Sequence, residues 1–164
     1  MTAPELTVAR VDQSDPRAQP LLAELAVEYS SRYGGTADEM YADLVAYPAA
    51  EFAPPDGALV VIARGDEVVA GGAFRRLDPE TAELKRIWTS AAHRRRGLAR
   101  RVLVELEREI AELGYQRVHL TTGWRQPEAV ALYLAAGYTA LYDPSVPAEE
   151  IGPHPFEKRI GATR

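Results

Sequence analysis

Leu98, Val102, Leu106, Ile110 and Leu113 recur every three or four positions, which places them on one face of a helix over residues 97–113. Charged residues fill the opposite face, with Arg101/Glu105 and Arg108/Glu112 at the four-residue spacing of helical ion pairs. Gly114 supplies the stop. A second helical period starts at Asp15-Pro16, runs through Leu21, Leu22, Leu25 and Tyr29, and ends at Gly34-Gly35. Thr36 suits the cap of a short helix reaching about Val45. Pro127 suits the first turn of another that reaches Ala136 and is closed by Gly137.

Between these helices the apolar period shortens. Residues 6–11 alternate as a strand does, and residues 58–63 and 67–74 are valine-rich runs joined by the tight-turn triplet Arg64-Gly65-Asp66. Asp78-Pro79-Glu80 marks a second turn, so residues 82–89 form the next antiparallel strand. Residues 117–122, 138–142 and 156–160 supply three more. Residues 48–57 and the proline-rich stretch around Pro144, Pro147, Pro153 and Pro155 read as loops. The order β-α-α-β-β-β-α-β-α-β-β predicts an α/β or α+β fold, with about seven strands in one mixed sheet and about four helices. A chain of 164 residues, 46% of them hydrophobic, is expected to form a single domain over residues 1–164.

Composition narrows the function. A net charge of −5 argues against a general nucleic-acid binder, which shows a basic face. No cysteine is present, which removes disulfides, thiolate metal sites and acyl-cysteine chemistry. The three histidines, His93, His119 and His154, lack metal-ligand spacing, so no metal is expected. No stretch approaches the roughly 20 apolar residues of a membrane span, and the first eleven residues have no signal-peptide core. A cytoplasmic protein without membrane partners is expected.

Against this acidic background, His93-Arg94-Arg95-Arg96-Gly97-Leu98-Ala99-Arg100-Arg101 stands out. A helix N-terminus already carries about half a positive charge. Arginines piled there are unfavourable unless an anion sits on them. Gly97 and Ala99 keep side chains short where backbone N–H groups would meet that anion. Guanidinium groups bind phosphate oxygens in bidentate fashion, Arg94 and Arg96 first, with Arg95, Arg100 and Arg101 partly facing solvent. The run also fits a solvated arginine patch beside an ordinary helix.

The segment Arg94-Arg95-Arg96-Gly97-Leu98-Ala99 resembles the R/Q-x-x-G-x-G/A loop of the GNAT-fold N-acetyltransferases. The later segment Ala129, Leu132-Tyr133 and Gly137-Tyr138 and the order of elements fit the same family. The resemblance covers residues 58–142 well and the N-terminal helices loosely. It implies an acetyl-CoA-dependent N-acetyltransferase with a CoA-binding core over 58–142, acceptor-side helices over 1–57 and a C-terminal loop and strand over 143–164. It implies that Arg94 through Arg100 hold the CoA pyrophosphate and that backbone groups of Ile87, Trp88 and Thr89 pair with the pantetheine arm. Gln126, Ala129 and Tyr133 fall beside the same arm, Gln126 standing where the family often has asparagine.

The resemblance also places Tyr133 near the thioester sulfur, as the acid that reprotonates the leaving thiolate. Glu83, 14 positions before Gly97, is the candidate base, and it equally suits an ion pair with Lys85. His119 is an alternative base, and a water chain is another. Tyr133 also suits plain helix–sheet packing. For the acceptor, Tyr29, Tyr33, Tyr41, Trp124 and Tyr142 are candidate walls of an aromatic pocket for an amine. Asp38, Glu39 and Asp43 would favour a cation. The expected partner is a small-molecule amine or amino acid, attacked directly in a ternary complex. A protein or peptide acceptor and a non-catalytic acyl-CoA sensor are the alternatives. Either a monomer or a homodimer fits.

Overall fold

Residues 58–62 are buried at five consecutive positions, so that strand must be covered on both faces. The computed structural model, which describes residues 5–123 and 127–160, shows how. Its strands are β1 (Leu6–Arg10), β2 (Ala58–Arg64), β3 (Glu67–Asp78), β4 (Thr81–Thr89), β5 (Arg117–Thr122), β6 (Thr139–Ala140) and β7 (His154–Arg159). Its helices are α1 (Gln19–Tyr33), α2 (Ala37–Ala46), α3 (Leu98–Glu112), α4 (Pro127–Ala135) and the one-turn α5 (Ala148–Ile151). Val60 and Ile62 join a core with Val102, Leu103, Leu106 and Ile110 of α3. Leu59 and Val61 point the other way, into a second core with Leu21, Leu22 and Leu25 of α1. The period of two along β2 thus divides its side chains between two helical layers.

The seven strands form one sheet in the order β1-β2-β3-β4-β5-β7-β6. Every neighbouring pair is antiparallel except β4 and β5. Local signals behave as their chemistry requires. The Asp15 side chain accepts from the Arg17 amide, and the Thr36 hydroxyl accepts from the Glu39 amide at the start of α2. Gly65-Asp66 closes the β2–β3 hairpin, with Arg64 opposite Glu67.

Four expectations are corrected. Leu113 leaves the apolar stripe and is 46% exposed, because α3 ends at Glu112 and Leu113 sits on its cap. Arg108 turns back to Glu105 at 3.0 Å, sharing that buried carboxylate with Arg101. The strand expected over 138–142 shrinks to Thr139–Ala140, because Tyr138 turns into the core and donates to Glu107 at 2.8 Å. The two loops are not structureless, since a 3₁₀ turn spans Ala49–Phe52 and α5 lies in the proline-rich stretch.

Gly57 shows how tightly the 3₁₀ turn is seated on β3. A Cβ there would lie 2.2 Å from the Glu51 carbonyl oxygen and 2.5 Å from that of Phe74. Both obstacles are backbone, so neither yields by a rotamer change. Gly57→Ala is expected to lower unfolding free energy by about 1–3 kcal/mol. Urea unfolding followed by circular dichroism checks it, and an unchanged midpoint would contradict the close approach.

Candidate active site

β4 and β5 pair only through Thr81–Arg117, Ala82–Val118 and Glu83–His119. Beyond Glu83 they diverge, although β4 continues to Thr89 and β5 to Thr122. The edge of β4 that faces the split therefore lacks a strand partner on that side, a ready place for an extended ligand to add hydrogen bonds. β4 also bulges here. Its register with β3 steps from Lys85 opposite Ala73 to Trp88 opposite Gly71, and Arg86 takes φ 61° to absorb the extra residue. Gly72 permits it, since a Cβ there would meet the Ile87 side chain at 2.7 Å.

A cavity of about 420 Å³ opens at the split. Ile87, Trp88 and Thr89 form one wall, and Ala129 and Leu132 of α4 the other. Arg94, Arg95, Gly97, Leu98, Ala99 and Arg100 close its end. Of the residues expected at a CoA site, the structure brings all of these together. Arg96 lies outside the lining, and Gln126 lies outside the described residues. Arg94, not Arg96, turns toward the cavity, where it meets Glu28 at 3.4 Å.

The loop that ends the cavity has the backbone of an anion site. Arg95 adopts φ 65° and Gly97 φ 77°, so two of three successive residues are left-handed. Such alternation turns successive N–H groups to one side. Gly97 caps α3 with no side-chain hydrogen bond, which leaves the first amides of that helix open. A left-handed arginine is an uncommon and costly conformation. Here it coincides with the helix dipole and with several guanidinium groups.

Two acidic residues that the sequence reading missed also line the cavity. Glu28 comes from α1 and Glu128 from the first turn of α4. Arg32 bridges them, at 3.3 Å from Glu28 and in direct contact with Glu128. The signal for Glu28 was available in the i, i+4 series Glu24, Glu28, Arg32 along α1. Nothing local revealed Glu128, which α4 brings to the cavity and to Arg32 of α1.

Tyr133 is 6% exposed and is not part of the cavity lining. It lies one turn beyond Ala129 on α4, with its ring against Tyr138 and Phe156 at centroid distances of 5.8 and 5.7 Å. Burial pushes its phenol pKa well above the ordinary range, so the hydroxyl keeps its proton. Glu83 sits elsewhere, on the wall of a second cavity of about 260 Å³. Its carboxylate meets Arg75 at 3.1 Å and Lys85 at 3.8 Å, and His119 lies 4.0 Å away. Tyr29 shares this second cavity, and burial pushes its phenol up to about 12. Asp43 lines it too. Tyr33 is 42% exposed, Tyr41 is paired with Gln19, and Tyr142 packs on His154 and Phe156. Trp124 lies outside the described residues.

The architecture and loop can now be set beside known proteins. The model of the Acetyltransferase (GNAT) family matches residues 19–138, from α1 to the end of the α4 segment. This chain belongs to the GNAT acetyltransferase family. Among relatives, it is 31% identical over 127 residues to the uncharacterized N-acetyltransferase YjgM of Escherichia coli, covering 73% of this chain and 75% of that protein. It is 42% identical over 59 residues to the uncharacterized N-acetyltransferase YsnE of Bacillus subtilis, a match spanning 36% of this chain and 39% of that protein. Among solved structures, a Thermus thermophilus acetyltransferase superposes with a TM-score of 0.69 at 22% identity, covering 98% of this chain and 100% of that one. The PaiA N-acetyltransferase of Thermoplasma acidophilum, solved with coenzyme A, superposes with a TM-score of 0.73 at 14% identity, covering 95% and 99%. These likenesses establish the GNAT fold. No described helix is long and apolar enough to cross a membrane.

Proposed function

We propose that this GNAT protein transfers an acetyl group from acetyl-CoA to a primary amine. The observation that carries the reading is the 420 Å³ cavity, which joins an unpartnered strand edge to a phosphate-type helix start. Those two features match the two halves of CoA. Pantetheine is an extended chain with amide groups that can pair along Ile87–Thr89, and the pyrophosphate needs the N–H groups and arginines of 94–100. Thr89 Oγ1, buried on this wall, has no hydrogen-bond partner among the described residues, as a polar ligand chain would require. A protein of the same fold, PaiA of Thermoplasma acidophilum, is known with coenzyme A.

The reaction is a direct displacement. The neutral amine nitrogen forms a bond to the thioester carbon, the carbon–sulfur bond breaks, and the sulfur leaves with the electron pair. Tyr133 is assigned to return a proton to that sulfur, and the nitrogen gives up its extra proton to Glu83, directly or through water. Holding amine and thioester together supplies most of the acceleration. Calorimetric titration with acetyl-CoA is the first test. Binding in the micromolar range is expected, weakening as salt rises from about 0.05 to 0.5 M because exposed arginines meet the phosphates. No heat at millimolar ligand would overturn the reading.

A further inference from the structure

Arg86 is the anomaly that the donor site leaves unexplained. It occupies the β4 bulge, is only 8% exposed, and carries its charge over the rings of Tyr47 and Phe52 at 5.5 and 5.2 Å. One nitrogen, Nη2, donates to the Leu44 carbonyl at 2.8 Å. Nε and Nη1 are buried and find no hydrogen-bond partner among the described residues. Among the described residues no carboxylate is paired with it, although Glu83 stands three positions away, held by Arg75. A buried guanidinium without an anion is costly, and desolvation accordingly lowers its pKa.

Arg86 lines the second cavity, whose volume of about 260 Å³ is below that of ordinary drug-sized pockets. The groups facing that space are Tyr29 of α1, Asp43 of α2, Tyr47 of the following loop, Glu83, Lys85 and Arg86 of β4, and Thr121 of β5. Two cations and two anions face one another, and Lys85 and Glu83 lie within 3.8 Å. The unmet demand is therefore Arg86's, and it is for an anion. The two cavities are lined by chain neighbours. Arg86 lines one and Ile87 the other, and on α1 Tyr29 lines one and Glu28 the other. The outer wall is α2, which has no fully buried residue and whose Tyr41 and Leu44 pack, part-buried, on the α1 core.

We propose that the 260 Å³ cavity is the acceptor site and that Arg86 binds the carboxylate of a zwitterionic acceptor, an α-amino acid or close analogue. The acceptor's amine is then turned toward the donor thioester, with Glu83 on the wall of the same cavity. This rests on the acetyl-transfer reading and adds the substrate class. A carboxylate supplies Nε and Nη1 with the acceptor atoms they lack, and Lys85 adds a second cation at the rim. Peptide N-termini and simple alkyl amines have no such group beside the amine.

The test measures CoA thiol release, at saturating acetyl-CoA, for the common L-amino acids and for their C-terminal amides. Saturation-transfer NMR of the same compounds on CoA-loaded protein reads binding without turnover. Wild type is expected to prefer the best acid over its amide by about ten- to hundredfold in kcat/KM, the range for one charge-assisted pair. Arg86→Met should bring that ratio near one, and Arg86→Lys should restore part of it. Arg86→Met should also keep or raise the Tm, because it removes an unpaired buried charge, and its acetyl-CoA affinity reports an intact donor site. Equal use of acids and amides by wild type, or an unchanged ratio in Arg86→Met, overturns the carboxylate site. So does acetyl-CoA binding with no acid bound or acetylated. Failure to bind acetyl-CoA instead removes the acetyl-transfer reading beneath it.

Discussion

Tyr133→Phe is expected to lower kcat about a hundredfold or more while leaving acetyl-CoA affinity within about twofold, the size associated with loss of a general acid. The substitution removes one oxygen and nothing else. The ring keeps its contacts with Tyr138 and Phe156, so the packing of α4 on the sheet survives. Ala129 and Leu132, one turn and one residue before Tyr133, form this wall of the cavity and are untouched, so the proposed surface for the CoA arm is kept. Burial raises the phenol pKa, which keeps the proton in place through the neutral and alkaline range. The pH profile of kcat/KM should therefore rise as the acceptor amine deprotonates and show no fall from Tyr133 below about pH 10, the ordinary phenol value. A steady-state profile over pH 6–10 for wild type and variant checks both parts. Unchanged turnover in the variant would return Tyr133 to a packing role.

Gly97→Val is expected to weaken acetyl-CoA binding by about tenfold or more at a stability cost of about 1–2 kcal/mol. Gly97 holds φ 77° at the cap of α3, a conformation that a β-branched residue strongly resists. A Cβ at this position meets nothing within 4 Å among the described residues, which leaves space there for a ligand. A valine would both project into that space and pull the backbone out of the left-handed region. The amides of the first turn of α3 would then point away from the phosphate position. Calorimetry with acetyl-CoA and thermal unfolding separate the two effects. A large loss of stability with unchanged affinity would show that Gly97 serves the helix start alone.

Much of this fold is written in local spacing. The stripe from Leu98 to Ile110 is a single-helix property, and so are the Thr36 cap and the Gly65-Asp66 turn. The loop proposed for phosphate was legible for the same reason. It is one contiguous stretch, and the charge anomaly of arginines at a helix start can be seen without a partner in space. The second strand-rich end was less legible. Tyr138 looked like a strand residue because its apolar neighbours alternate, but its hydroxyl reaches Glu107 on α3, 31 positions away in sequence.

The site divides along the same line. Ile87–Thr89 and Arg94–Arg100 were found because they flank one turn. Glu28 and Glu128 were missed because they come from separate helices, far apart in the chain, that Arg32 links. Arg86 was passed over as a strand residue. No sequence pattern says that a charged side chain will be buried over Tyr47 and Phe52 with two nitrogens unpaired. Glu83 was found with one neighbour, Lys85, but Arg75, which faces it from the neighbouring strand, was not.

The sequence by itself determined the family, the order of elements apart from α5, and the loop proposed to receive the acyl donor, because each depends on residues near one another in the chain. Only the tertiary structure decided where the cavity proposed for the acceptor lies. That cavity exists because β4 and β5 part after Glu83 and because α1 and α2 close over the gap. Its walls come from five separate segments, and the charge at its side is defined by what fails to pair with Arg86 across them.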